Sequence, residues 1–317
     1  MKTIAAESSA FRQLQRVLRA CLSIALLASA ADAASPWRFW TKADGLPESV
    51  VFGLTADGAG RIIVKSGDVA TLSILDGYQV TEIPVPHAYG RILPSSNHEL
   101  WTFDSNGIDV RDGAEWRRYP DAQIADFATR SGMLQTRWFT YSVFYGPHDR
   151  MDVAPFRNET AVLMFPDRLV EWDRRNGSKR ILRLAAQTGL GKFRDVQNTR
   201  DGALWLTGEH GVAMLRGSGA GIDWIEIPGP PADRDFMYPI EGENHELFVS
   251  ATRLGGKRVV LRLAKGLWTE VYAADIALPR LKGWRGPGGT IWIQENRKIF
   301  QLNAGNPTVS ASTNGKA

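Results

Sequence analysis

"DGALWLTGEHGVAML" (201–215) decides the fold. It opens on Asp-Gly, a pair suited to a tight turn. Leu204-Trp205-Leu206 then alternates between two faces, as a short strand does. "GEHG" (208–211) makes a second turn, and Val212-Ala213-Met214-Leu215 a second strand. "DWIEIP" (223–228) adds a third strand behind, and "FRDVQ" (193–197) one in front. The unit therefore reads as four short antiparallel strands joined by turns.

The same unit recurs. "TADGAGRIIVKSGDVATLSILDG" (55–77), "SSNHELWTFDSNGIDVRDG" (95–113), "GENHELFVSATRLGGKRVVLRLAKG" (242–266) and "GPGGTIWIQENRKIFQL" (286–302) repeat the turn–strand–turn–strand order. "EWRRYP" (115–120) and "LWTEVY" (267–272) repeat the closing strand. A period of roughly 40 residues with four strands per period is the signature of β-propeller blades. The expected fold is therefore all-β, a β-propeller of four-stranded antiparallel blades. Length allows six or seven blades, and an incomplete ring is a further option. The stretch 121–191 matches least well. Within it, 159–184 reads as three outer strands, and "RWFTYSVFYGPH" (137–148) as an inner strand with a long loop or a degenerate blade.

The repeat also settles an apparent catalytic motif. "NHELW" (97–101) and "NHELF" (244–248) place a His beside a Glu twice. Both occupy the turn position that Arg200-Asp201-Gly202-Ala203 fills in the clearest unit. The zinc pattern H-E-x-x-H needs a second His, and Thr102 and Val249 stand there instead. His98, His210 and His245 are thus turn residues on the blade rims, while His87 and His148 precede inner strands or loops. Trp101, Trp205 and Trp292 share one repeat position, which implies a shared packing role. Trp40, Trp138 and Trp284 fall outside that register.

"DGLPESVVFGLTADGAGRIIVKSGDVATL" (44–72), with Asp44-Gly45-Leu46-Pro47 as its most distinctive piece, resembles the two-component regulator propeller repeat. "DGALWLTGEHGVAML" (201–215) is the best second match, and the resemblance spans roughly 39–302. It implies a periplasmic or extracellular sensor propeller, in a protein that continues into a membrane helix and a cytoplasmic kinase or other output domain. A homodimer fits the same picture. The turn "TRDGALW" also partly resembles the Asp-box of sialidase-type propellers, which is structural and does not by itself imply hydrolysis.

The flanks and composition fit an exported domain. Residues 1–33 have the form of a signal peptide. Lys2, Arg12, Arg16 and Arg19 precede or flank the apolar "CLSIALLASA" (21–30), and Ala31-Asp32-Ala33 presents small residues for cleavage near Ala33. The propeller domain is expected over 34–302 and a polar linker or tail over 303–317, with "WRFWT" (37–41) available as a closing strand. The product is expected to be periplasmic or secreted. Cys21 is the single cysteine, so a cleaved chain has neither a disulfide nor a thiolate site. The formal net charge of +4 falls further when the leader is removed, and no dense Lys/Arg run remains. Nucleic acid is not an expected partner.

Ligands of propellers commonly gather where loops enter the innermost strands. Here those loops carry Glu48, Tyr89, Arg194, Phe236, Arg280 and Trp284. Their mix of cationic, aromatic and polar groups suits an acidic small molecule or a carbohydrate. Arg91, Arg194 and Arg280 lie near inner strands of different blades. No pair of carboxylates, and no His–Glu pair, is assigned to face across a channel, so no catalytic residue, metal site or cofactor is expected. The leading expectation is a non-enzymatic sensor. A secreted glycoside hydrolase or lyase, and a passive protein-interaction scaffold, are the alternatives.

Overall fold

The computed structural model describes residues 40–312, except 49–50, 57–60, 67–68, 77–78, 89–90, 96, 132–148, 158, 219–220, 244, 278–280, 286–289, 296–297 and 304–305. The expected signal peptide, Tyr89, Trp138, His148 and Arg280 lie outside the described residues. So does most of "WRFWT", whose last two residues are irregular.

The chain divides into two units, Met1–Gly45 and Leu46–Ala317. In the first, Lys42–Asp44 forms one 3-10 turn. Thr41 Oγ1 accepts from Ala43 N, the Asp44 carboxylate accepts from Thr41 N at 2.8 Å, and Gly45 ends the turn at φ 97°. The Asp-Gly of "DGLP" is thus a capped turn, in which glycine takes a left-handed conformation at no steric cost.

The second unit is all-β, a propeller of four-stranded antiparallel blades. Six four-stranded sheets form among the described residues. The first holds β1 (Val51–Ala56), β2 (Ile62–Ser66), β3 (Thr71–Asp76) and β4 (Gln79–Pro84). The second holds β5 (Leu93–Pro94), β6 (Leu100–Asp104), β7 (Gly107–Asp112) and β8 (Glu115–Pro120). Helix α1 (Ala122–Arg130) follows, its N-terminus capped by the Asp121 carboxylate. The third has β9 (Asp152–Phe156), β10 (Thr160–Met164), β11 (Arg168–Asp173) and β12 (Lys179–Leu184). The fourth has β13 (Phe193–Asn198), β14 (Leu204–Gly208), β15 (Gly211–Ser218) and β16 (Gly221–Pro228). The fifth has β17 (Asp233–Glu241), β18 (Leu247–Arg253), β19 (Lys257–Ala264) and β20 (Leu267–Ala277). The sixth has β21 (Leu281–Arg285), β22 (Ile291–Glu295), β23 (Lys298–Asn303) and β24 (Asn306–Ser312).

Alternation along the second strand of a unit builds the core. On β14, Leu204 and Leu206 face the third sheet while Trp205 faces the fifth. On β10, Ala161 and Leu163 pack toward the second sheet, and Val162 and Met164 toward the fourth. Such period-two burial on both faces suits radially stacked sheets. Buried clusters join the sheets in series from first to sixth. Among the described residues, no such cluster joins the sixth sheet to the first. Indoles tie the outer strands together as well. Trp116 Nε1 donates to the Pro84 carbonyl and Trp268 Nε1 to the Pro228 carbonyl, each at 2.8 Å.

The inner strand of the third unit is β9, "DVAPF". The 137–148 segment, expected to be an inner strand with a long loop or a degenerate blade, lies outside the described residues. One expectation is corrected. The 303–317 tail contains β24, which pairs antiparallel with β23. Its small, polar residues carry little strand signal, and the ladder supplied by β23 decides the matter.

The NHEL turns sit where the repeat puts them. His98 and His245 take left-handed φ values of 67° and 59°, and Gly202 takes 80° at the same place. Each turn closes by one matching bond: Ser95 N to Glu99 O, Thr199 N to Ala203 O, and Gly242 N to Glu246 O. The two glutamates are structural. Glu99 accepts from Trp101 Nε1 and pairs with Arg174 of the third sheet at 2.6 Å, while both Glu246 oxygens take Arg262.

Candidate functional site

Innermost strands of a propeller converge on its axis, so side chains from non-neighbouring sheets meet there. The strand pairing shows which residues are equivalent. Asp152 of β9 stands opposite Met164, and Asp195 of β13 opposite Thr207. Each carboxylate accepts from the next backbone N–H, Val153 or Val196, at 2.9 Å. Repetition of one local conformation thus sets two buried acids side by side, in sheets three and four.

Arginines from two other places meet them. Arg91, just before β5, pairs through Nη1 with Asp152, reaches to 3.9 Å of Asp195, and donates from Nη2 to the Gln197 side chain at 3.2 Å. That last contact links the second sheet to the fourth. Arg150, just before β9, is 3 % exposed. Its Nη2 lies 2.7 Å from Asp195 Oδ2, and its Nε donates to the Arg194 carbonyl. From the fifth sheet, Tyr238 N donates to Asp195 Oδ2 at 3.0 Å, and the Arg150 guanidinium lies 6.0 Å from the Tyr238 ring centre. Four sheets therefore contribute to one charged cluster. Arg91 and Tyr238 are half-buried and Gln197 exposed, whereas Arg150, Asp152 and Asp195 lie behind them.

The electrostatics follow from burial. Desolvation pushes the Asp152 carboxyl above the ordinary carboxylate range, although Arg91 and Arg150 oppose it. Burial would lower the Arg150 guanidinium, but the Asp195 and Asp152 charges outweigh that and raise it. Burial also raises the Tyr238 phenol. Tyr238 therefore stays a neutral hydroxyl at physiological pH.

Strand β17 is bent to make this arrangement. Its pairing with β18 slips at two places, and Asp235 and Tyr238 both take left-handed φ, 51° and 54°. A non-glycine residue held there costs about 1–2 kcal/mol. Bulges of this kind re-aim side chains. Here they deliver Tyr238 to Asp195 and Asp235 to Arg194. Arg194 is the hub of a second cluster, with Nη2 at 2.6 Å from Glu209 and 3.1 Å from Asp235, and Nη1 at 3.8 Å from Asp149. Lys192 also pairs with Asp149.

Of the residues expected at the channel mouth, Arg194 stands in these clusters. Phe236 is fully buried against Trp268, with ring centres 5.7 Å apart, and packs between the fourth and fifth sheets. Glu48 is half-buried ahead of β1, and Trp284 lies on β21 opposite Trp292. Of the arginines near inner strands, Arg91 is central. Arg150, Asp152, Asp195, Gln197 and Tyr238 were not singled out by the sequence. A signal for two of them exists: "RMDVA" (150–154) and "FRDVQ" (193–197) both write Asp-Val after an arginine. It is seen only once β9 is recognised as the inner strand.

No family model matches the sequence, and no curated protein matches it. Solved structures do share the fold. The chain resembles virginiamycin B lyase from Staphylococcus aureus at 17% identity and TM-score 0.56, over 84% of this chain and 86% of that one. It resembles YCF48 bound to a D1 peptide at 12% identity and TM-score 0.54, over 89% and 87%. It also resembles the extracellular domain of a hybrid two-component system, BT4673 of B. thetaiotaomicron, at 13% identity and TM-score 0.51. That match covers 82% of this chain but 32% of the other, so the chain spans about a third of that domain's length.

Proposed function

We propose that the chain is a ligand-binding propeller that serves as the extracytoplasmic input module of a signalling receptor. The charged cluster shared by four sheets carries this reading. A ligand touching Arg91, Gln197 and Tyr238 touches the second, fourth and fifth sheets at once, and Arg91 leads on to the third through Asp152. Binding there is coupled to how the inner strands sit against one another, which is what a sensor requires. The ligand must then favour one arrangement over another.

The likeness to the extracellular domain of a hybrid two-component system supports the signalling role, and the Asp44–Pro47 motif supports it independently. Among the described residues, no helix is long and apolar enough to cross a membrane. Export through cleavage near Ala33 is part of the same proposal.

Reading the coding sequence downstream of Ala317 tests the receptor assignment. A frame running into a membrane helix and a kinase or other output domain is the expected result. A stop codon there would overturn it. Mass spectrometry of any bound compound, before and after incubation, tests the non-enzymatic role. Unchanged compound is expected, and turnover would put a lyase or hydrolase in the sensor's place.

A further inference from the structure

The axis cluster holds two carboxylates and two guanidinium groups, and the four are not anchored alike. Asp152 and Asp195 stand in strand ladders, opposite Met164 and Thr207. Arg150 is buried, and its Nε is bonded to the Arg194 carbonyl. Arg91 is half-buried and lies two residues ahead of β5, whose ladder runs over Leu93–Pro94. Its side chain is therefore the member of the four with room to change partner. It already reaches both acids: Nη1 is bonded to Asp152 of the third sheet and stands 3.9 Å from Asp195 of the fourth.

The two carboxylates are unequal as well. Asp195 takes the Tyr238 N–H at 3.0 Å and the Val196 N–H at 2.9 Å, and Arg150 Nη2 lies 2.7 Å away. Asp152 takes the Val153 N–H and Arg91. Hydrogen bonds favour the charged form of a carboxylate, and burial favours the neutral form. On Asp152, buried with the smaller set of donors, burial wins, although Arg91 and Arg150 oppose it. The charged groups facing Asp152 are Arg91, from the segment ahead of β5, Arg150, ahead of β9, and Asp195, on β13. Tyr238 of β17 faces Arg150 and Asp195, and Arg258 of β19 faces Tyr238. Arg194, Lys192, Asp149, Glu209 and Asp235 pair among themselves.

We propose that Asp152 is an acid-operated latch: on taking a proton from solvent it releases Arg91, whose guanidinium then pairs with Asp195. The proton settles on Oδ2, the oxygen that Arg91 held, while Oδ1 keeps the Val153 N–H. Before the step, Arg91 ties the entry of the second sheet to the third. After it, Arg91 ties that entry to the fourth, where Gln197 already takes Nη2. One guanidinium with two discrete partners, each fixed in its own ladder, is a bistable element that protonation biases. The latch adds acidity as an input to the receptor proposed above. It operates with no ligand bound, so its loss leaves the ligand-binding role standing.

NMR of the isotope-labelled chain, titrated from neutral pH downward at constant ionic strength, tests this. The Asp152 Cγ and Arg91 Nε resonances are expected to move with one shared midpoint, above the ordinary aspartate value of about 3.9. Over the same range, nuclear Overhauser contacts from the Arg91 side chain to the Asp195 Hβ protons gain on those to the Asp152 Hβ protons. In Asp152→Asn, which keeps the shape of the neutral carboxyl, the Arg91 Nε resonance is expected at the wild type's low-pH position throughout. A midpoint at or below the ordinary value overturns the latch. So does an Arg91 that keeps its Asp152 contacts at low pH, or an Asp152→Asn chain whose Arg91 stays at the wild type's neutral position. The first two outcomes are read on the wild type alone, so a variant that fails to fold does not spare the proposal.

Discussion

Arg150 Nη2 and Asp195 Oδ2 lie 2.7 Å apart, and both side chains are 3 % exposed. The pair joins the entry of the third sheet to the inner strand of the fourth. Removing one member of a buried pair strands the other charge, at about 3–5 kcal/mol. Asp195→Asn, which keeps the shape, is expected to lower the unfolding free energy by about that amount. Urea titration with an unchanged slope checks it.

Asp152 sets an unusual pH dependence. Its folded-state pKa is raised by burial, so the folded protein takes up this proton before the unfolded chain does. Between the unfolded and folded values, stability from this group rises as pH falls. Asp104, Asp173, Asp201 and Glu159 have lowered values and act in the opposite direction. The prediction therefore concerns a difference. The stability of wild type minus that of Asp152→Asn grows as pH falls through the range above the ordinary carboxylate value. A difference that shrinks over that range would show that Arg91 and Arg150 dominate over burial.

The NHEL turns give a prediction that separates structure from chemistry. His98 holds a left-handed φ of 67° where the equivalent turn has Gly202. His98→Gly removes about 1–2 kcal/mol of backbone strain and adds about 0.4–1 kcal/mol of unfolded-state entropy. The net expectation is unchanged to raised stability, by up to about 1.6 kcal/mol. Thermal unfolding of His98→Gly and His245→Gly checks this. A large loss would give these histidines a part beyond the turn.

Gly229 shows how tightly the fourth and fifth sheets meet. A Cβ there would lie 2.1 Å from Phe236 Cζ. Gly229→Ala is expected to cost about 1–3 kcal/mol through overpacking. Gly189→Ala is the milder comparison, because its added carbon meets only the end of the Glu226 side chain, at 3.3 Å. Equal effects of the two substitutions would remove Phe236 from its assigned packing role.

Much of the architecture was legible because it is periodic. Turn, strand, turn and strand recur with the same residue types, so Trp101 and Trp205 announce their packing position twice. The third unit was legible only in its outer strands. Its inner strand carries Asp152 and Pro155, neither of which favours a strand, and tertiary pairing with β10 overrides them. β24 was missed for the same reason. The site was hardest to read, because it depends on which innermost strands meet across the axis. Arg91 and Gln197 are 106 positions apart, and no local pattern connects them. Tyr238 depends on two irregularities in β17 that its sequence does not advertise. Phe236, two residues away, carried the aromatic signal but points into the core.

The central claim is that the axis cluster is the ligand site. A thermal-shift screen of small polar compounds, run in parallel on wild type and Arg91→Gln, tests it most directly. Specific binding of a ligand stabilises the folded state by mass action. The account predicts compounds that raise the wild-type midpoint and leave Arg91→Gln unmoved. Compounds that stabilise both proteins equally would place the site elsewhere and contradict it.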